Sequence, residues 1–166
     1  MTSINQDTLR SNIENTVRRC LMGHKDGADQ NDASIISRGL AADCQRHIIP
    51  DSFIEALGAK TPFILTNQQY QEAFASDITV SKAMRTDILD LTIDAPARRA
   101  AARTDNDLLV GDENFRLEFT WFFNLNEDGT EITRIVEFAD SREAFKFQTK
   151  VNTLVAEKAA SSSSGK

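Results

Sequence analysis

Three carboxylic acids and one guanidinium are the residues best suited by type and spacing to do chemistry. Glu131, Thr133, Ile135 and Glu137 share one face of a short extended segment at period two. If that face turns inward, two carboxyls lie along one wall. Glu118 sits in the middle of a long aromatic segment, on the face of Arg116, Thr120 and Phe122. Arg38 falls at the C-terminal end of a predicted second helix, at the edge of its apolar face. A guanidinium there can bind a carbonyl or stabilise a developing alkoxide. A carboxyl surrounded by Phe and Trp has its ionised form disfavoured and can hold a proton near neutrality. Such groups suit acid–base catalysis. Each also has a plain structural reading. Glu131 follows a turn and suits solvent, Glu137 can pair with Arg134 or Arg142, and Glu118 can pair with Arg98 or Arg103. Arg38 can be a surface residue favoured by the helix dipole.

Other residues could contact a substrate. His47 and Arg46 alternate on a short strand, so only one of them points inward. A histidine there could shuttle protons. Tyr70, the only tyrosine, could donate a hydrogen bond or line the core. Asp87, Asp90 and Asp94 occupy one strand, and Asp90 shares a face with Met84 and Ile88. Trp121 suits a core, a dimer interface or a substrate platform. His24 follows a glycine expected to end a helix and is read as solvated.

Several chemistries lack their motifs. The chain has no Gly-rich nucleotide loop, no paired-histidine zinc helix and no Gly-x-Ser-x-Gly elbow. It has two histidines and two cysteines, Cys20 and Cys44, without metal spacing. No metal and no cofactor are therefore expected. A net charge of -6 argues against nucleic acid. No segment has the length of a membrane span, and Met1 to Gln6 shows no signal peptide. The cysteines suit a reducing, cytoplasmic compartment.

The elements that must position these residues are clearest in the last third. Phe115, Leu117, Phe119, Trp121, Phe123 and Leu125 alternate along a strand. Asn126-Glu127-Asp128-Gly129 supplies a tight turn. Glu131 to Phe138 returns, and Asp140 with Glu143 opens a final helix as a capping box. Ahead of these, Thr8 to Leu21 is an amphipathic helix ended by Gly23. A second helix runs from near Asp29 or Asp32 to Gly39. Cys44 to Ile49 is a strand stopped by Pro50, and Ser52 to Leu57 is a helical turn. Thr66 and Gln69 box a third helix. Met84 to Asp94 and Arg98 to Val110 are two more strands. Helices, then an antiparallel meander, then a closing helix make an α+β fold. Residues 1–158 form one domain, and the Ser-rich stretch 159–166 is expected to be disordered.

Three motifs are similar to those of a known superfamily. Asp43-Cys44-Gln45-Arg46-His47-Ile48-Ile49-Pro50 resembles a first-strand motif. Glu118-Phe119-Thr120-Trp121 with Asn126-Glu127-Asp128-Gly129-Thr130 resembles a long strand and hairpin. Arg134-Ile135-Val136-Glu137-Phe138-Ala139-Asp140-Ser141 resembles a closing strand and helix cap. The chain thereby resembles the SnoaL-like, nuclear-transport-factor-like α+β cone superfamily, in a fungal branch of secondary-metabolite isomerases and cyclases. The resemblance implies a curved antiparallel sheet wrapped on N-terminal helices. It implies a cofactor-independent isomerase or cyclase acting on a bulky polycyclic metabolite, in a semipinacol shift of an indole alkaloid as the first choice. Arg38 would anchor a substrate oxygen, and Glu131, Glu118 or Glu137 would move the proton. A non-catalytic ligand-binding or protein-interaction cone, filled with apolar side chains, is the alternative from another class. A dehydratase using His47 with an Asp is the other enzymatic one. Phe on both faces of the long strand leads to the expectation of a homodimer.

Overall fold

In the computed structural model, which describes residues 5–163, helix α1 (Gln6–Gln30) lies across a curved sheet. A 3-10 turn (Ala33–Ser37) leads into β1 (Leu40–Ile49), α2 (Asp51–Ala56), β2 (Phe63–Thr66) and α3 (Asn67–Asp77). Then come β3 (Ser81–Asp94), β4 (Arg99–Val110), β5 (Glu113–Leu125), β6 (Ile132–Ala139) and α4 (Ser141–Ser163). The six strands form one sheet in the order β2-β1-β6-β5-β4-β3. Neighbours are antiparallel except β1 and β6, which run parallel. That pairing joins the first strand to the last and was not visible in local patterning. It places Arg46 beside Ile135 and Ile48 beside Glu137.

The aromatic strand alternates as its sequence predicts. Leu117, Trp121, Phe123 and Leu125 are buried on the concave side. Trp121, Phe123 and Leu125 join the cluster of Leu9, Ile13, Val17 and Leu21, the apolar stripe of α1, while Leu117 packs with Phe53, Ile54 and Ala144. The β5–β6 hairpin is anchored to the same helix. Gly129 has φ 75°, and a Cβ there would lie 2.8 Å from Ile13 Cγ1, so glycine serves both the turn and the close approach. Thr16 Oγ1 donates to Gly129 O at 3.0 Å and Asn12 Nδ2 to Asp128 O at 2.9 Å. The Thr66–Gln69 capping box forms as expected.

Four local readings change. Gly23 does not end α1, which continues seven residues to Gln30; Asn31, at φ 50°, caps it. A close neighbour holds position 27 to glycine, whereas position 23 is in ordinary van der Waals contact. A Cβ at Gly27 would lie 2.7 Å from Phe74 Cε1, and one at Gly23 3.4 Å from Ile36 Cδ1. The predicted second helix is one short 3-10 turn capped by Asp32, whose Oδ1 accepts from Ser34 N at 2.9 Å. Asp140 Oδ1 caps α4 by accepting from Arg142 N at 3.2 Å, while the Asp140 N–H donates to Glu118 O. Helix α4 continues through Ser163, so residues 159–163 are helical where disorder was expected. Residues 164–166 of that stretch, and Met1 to Ile4 of the segment expected to carry no signal peptide, lie outside the described residues. Among the described residues no helix is long and apolar enough to cross a membrane.

Candidate active site

The inward face of β6 carries Ile135, Glu137 and Ala139. On β1 the inward set is Cys44, Arg46 and Ile48. Parallel pairing of the two strands puts a guanidinium and a carboxyl side by side inside the fold. Arg46 Nη1 donates to Glu137 Oε2 at 2.9 Å, with the two residues 4% and 7% exposed. Tyr70, from α3, lies flat over the guanidinium, whose carbon is 3.7 Å from the ring centroid. The Tyr70 hydroxyl is 3.5 Å from Glu137 Oε2, at the limit of a hydrogen bond, and 2.7 Å from His24 Nε2. His24 comes from the part of α1 beyond Gly23. Its ring meets Phe74 edge-on at 5.4 Å and Trp121 at 6.2 Å. Four elements, α1, α3, β1 and β6, thus supply His24, Tyr70, Arg46 and Glu137 to one cluster.

His24, Tyr70 and Glu137 open onto a cavity of about 560 Å³. This is within the usual size range of small-molecule sites. Phe53, Leu117, Phe119, Trp121 and Phe147 form apolar walls. Trp121 spends its indole N–H on Thr104 Oγ1 at 2.9 Å, which leaves its ring as a platform. Arg46 is not part of the cavity lining; it stands behind Glu137 and lines a narrow crevice on the other side, with Cys44 and Asn67.

Burial works against the Arg46 charge, but the Glu137 carboxylate, through its charge and its hydrogen bond, holds the guanidinium protonated. Burial first, then the Glu137 charge, pushes the Tyr70 phenol well above its usual range, so it remains a neutral donor. Burial, with a smaller contribution from Arg46, pulls His24 down to about 3. Its imidazole is therefore neutral at physiological pH. When Nε2–H donates to the Tyr70 oxygen, the Tyr70 proton is free to point to Glu137 or to a ligand. Burial also raises Cys44 to about 11, so its thiol is no nucleophile. Among the described residues no group of three or more His, Cys, Asp or Glu is placed to hold a metal ion.

The shape of the whole has solved counterparts. A pinacolase, BvnE from Penicillium brevicompactum, superposes with TM-score 0.71 at 18% identity, over 91% of this chain and 98% of that one. PrhC from Penicillium brasilianum superposes with TM-score 0.70 at 17% identity, over 92% and 93%. AusH from Aspergillus nidulans gives 0.64 at 20% identity, over 82% and 90%. The chain folds as a SnoaL-like α+β cone. No protein-family model and no curated protein sequence matches it.

Of the residues singled out from sequence, the cone brings three together: Glu137, Tyr70 and Trp121. The other five do not line the cavity. Arg38 caps the 3-10 turn and is exposed. Glu131 is exposed in the hairpin, its Oε2 3.4 Å from Asn126 Nδ2. The expected shared face of Glu131 and Glu137 is broken by a register shift, because Leu125 pairs with Ile132 but Asn124 pairs with Arg134. Glu118 and Asp90 lie on the outer face, 3.7 and 2.9 Å from Arg103. His47 also faces outward, and its buried Nε2 has no hydrogen-bond partner among the described residues. Arg46 takes the inward position on β1 that His47 could have held.

Sequence reasoning passed over Arg46 as an active group and set His24 in solvent. The signal for His24 was present: Val17, Leu21, His24 and Ala28 continue the buried stripe of α1 at helical spacing. Reading Gly23 as a terminator hid it.

Proposed function

We propose that this cone is a cofactor-independent acid–base isomerase of a bulky, largely apolar polycyclic metabolite, acting in a pinacol-type rearrangement. The observation that carries this reading is the ion pair of Glu137 with Arg46 at the wall of an apolar cavity, beside the Tyr70 hydroxyl. Arg46 holds Glu137 in place from behind without touching substrate, so it is a positioning residue. Glu137 accepts a proton from a substrate hydroxyl. The freed electron pair forms a carbonyl as a carbon substituent migrates, with its bonding pair, to the neighbouring carbon. The C–O bond of that carbon breaks, and its oxygen, still tethered, takes a proton from Tyr70. Protonated Glu137, whose Oε2 is 3.5 Å from the Tyr70 oxygen, then returns its proton to Tyr70 while neutral His24 stays hydrogen-bonded to that oxygen, so the product is an isomer. The aromatic walls keep water from the electron-poor carbon during the shift.

Support comes from the open cavity, since a scaffold cone would fill this space with apolar side chains. It comes also from the likeness to BvnE, a pinacolase, and to the other Penicillium and Aspergillus proteins. The dehydratase reading loses its expected histidine, because His47 faces away from the cavity. A test is deletion of the gene in its producing organism, followed by incubation of the accumulated metabolite with purified protein. Conversion to a product of equal mass, without added metal or nucleotide, is expected. A product lighter by one water supports dehydration instead, and an unchanged metabolite supports a binding cone.

A further inference from the structure

The cavity has a second polar end that the proposed chemistry leaves unused. Asp77, the last residue of α3, lines it together with Gln148 and Asn152 of α4. Gln148 Nε2 donates to Asn152 Oδ1 at 3.0 Å, and both residues line the cavity beside the Asp77 carboxyl. These two carboxamide residues neighbour the acid from the α4 side of the cavity. An ionised carboxyl can accept about four hydrogen bonds. Among the described residues Gln148 is the side chain near enough to favour its charged form. Asp77 also sits at the C-terminal end of a helix, where the dipole disfavours negative charge. Burial raises its pKa to about 6, opposed by Gln148. A carboxyl with this setting wants a donor, and the cavity is the side from which one can come. Asp77 is about two helical turns, roughly 10 Å, along α3 from Tyr70.

We propose that Asp77 is a specificity-determining residue whose carboxyl, beside Gln148 in the cavity lining, receives an O–H or N–H donor of the substrate. The inference rests on the reading of this cavity as the substrate site. The ligand class is then a polycycle with an oxygen function at the Glu137 end and a hydrogen-bond donor, hydroxyl or amine, about 10 Å away.

Three probes of one shape test this: 2-ethylfluorene, fluoren-2-ylmethanol and fluoren-2-ylmethylamine. Their affinities are measured by fluorescence titration on wild type, Asp77→Leu, Asp77→Asn, Gln148→Leu and Glu137→Gln, each first shown to be folded by circular dichroism. In wild type the alcohol and the amine should bind about tenfold or more tightly than the hydrocarbon, as for a hydrogen bond to a charged group. Asp77→Leu should bring the three within about twofold, and Gln148→Leu should weaken the preference, while Glu137→Gln keeps it. Asp77→Asn separates the two donors: loss for the amine alone marks a cationic ligand, and equal partial loss marks a neutral one. A preference that survives Asp77→Leu, or that vanishes in Glu137→Gln, overturns the proposal. Binding of all three probes with no preference overturns it while sparing the substrate-site reading. Failure of all three to bind removes both.

Discussion

The Arg46 guanidinium is stacked 3.7 Å from the Tyr70 ring while donating to Glu137 at 2.9 Å. One buried cation thereby fixes two cavity groups from behind. Its planar, delocalised charge suits both contacts, and a lysine in its place would satisfy only the carboxyl.

Breaking the pair from either side should destabilise the cone. Glu137→Gln or Arg46→Met leaves its buried partner uncompensated, at a cost of about 3 kcal/mol or more. The double variant Arg46→Met with Glu137→Leu should recover most of that loss in urea denaturation. Its turnover should stay down by at least about a hundredfold. Recovery of turnover along with stability would remove Glu137 from the chemistry.

Arg38→Ala, Glu118→Gln and Glu131→Gln each change an exposed residue outside the cavity lining. Turnover should stay within about threefold of wild type, and stability within about 0.5 kcal/mol. A hundredfold loss in any of them would return the site to the residues first favoured by sequence.

His24 and Asp77 make opposite contributions to stability as pH changes. His24 is lowered from 6.5 to about 3. Its contribution is present above pH 6.5 and is lost as pH falls toward 3. Asp77 is raised from 3.8 to about 6. Its contribution is present below pH 3.8 and is lost as pH rises through 6. Asp77→Asn should therefore stabilise the protein at pH 7.5, by on the order of 2 kcal/mol, and have little effect at pH 4. The His24 ring nitrogens should show no titration by NMR between pH 5 and pH 8, and an inflection near 6.5 would contradict its enclosure.

Gly27→Ala tests the seat of the Phe74 ring, from α3, against α1. In an open helix the alanine gains about 1 kcal/mol. Here its Cβ would meet Phe74 Cε1 at 2.7 Å and Asp32 O at 3.1 Å. Overpacking of this kind costs about 1–3 kcal/mol, so the variant should lose stability in urea. A net gain would mean that Phe74 gives way freely.

The homodimer expected from sequence has a surface to test. Phe122 and Phe138 are 49% and 43% exposed on the outer face of the sheet. Sedimentation should give a dimer, and Phe122→Asp with Phe138→Asp should give a monomer of 18.5 kDa. A wild-type monomer at high concentration would end this reading.

The alternation of Phe115 to Leu125, the Asp-Gly turn and the Thr66–Gln69 box were legible in the sequence, because period-two burial, turn chemistry and capping act over a few residues. Glu137, Tyr70 and Trp121 could be nominated from type and position for the same reason. What local pattern could not determine was which strands become neighbours. The parallel pairing of β1 with β6 joins residues about ninety positions apart in the chain, and it alone turns Arg46 from one of two alternating side chains into the partner of Glu137. The register shift near Thr133 moved Glu131 off the inward face, and Gly23 stayed inside α1, on a stretch against which Ile36 and Phe74 pack. Helix propensity at one glycine is worth about 1 kcal/mol, less than the packing it permits. The length of α1 beyond Gly23 is what brings His24 to Tyr70.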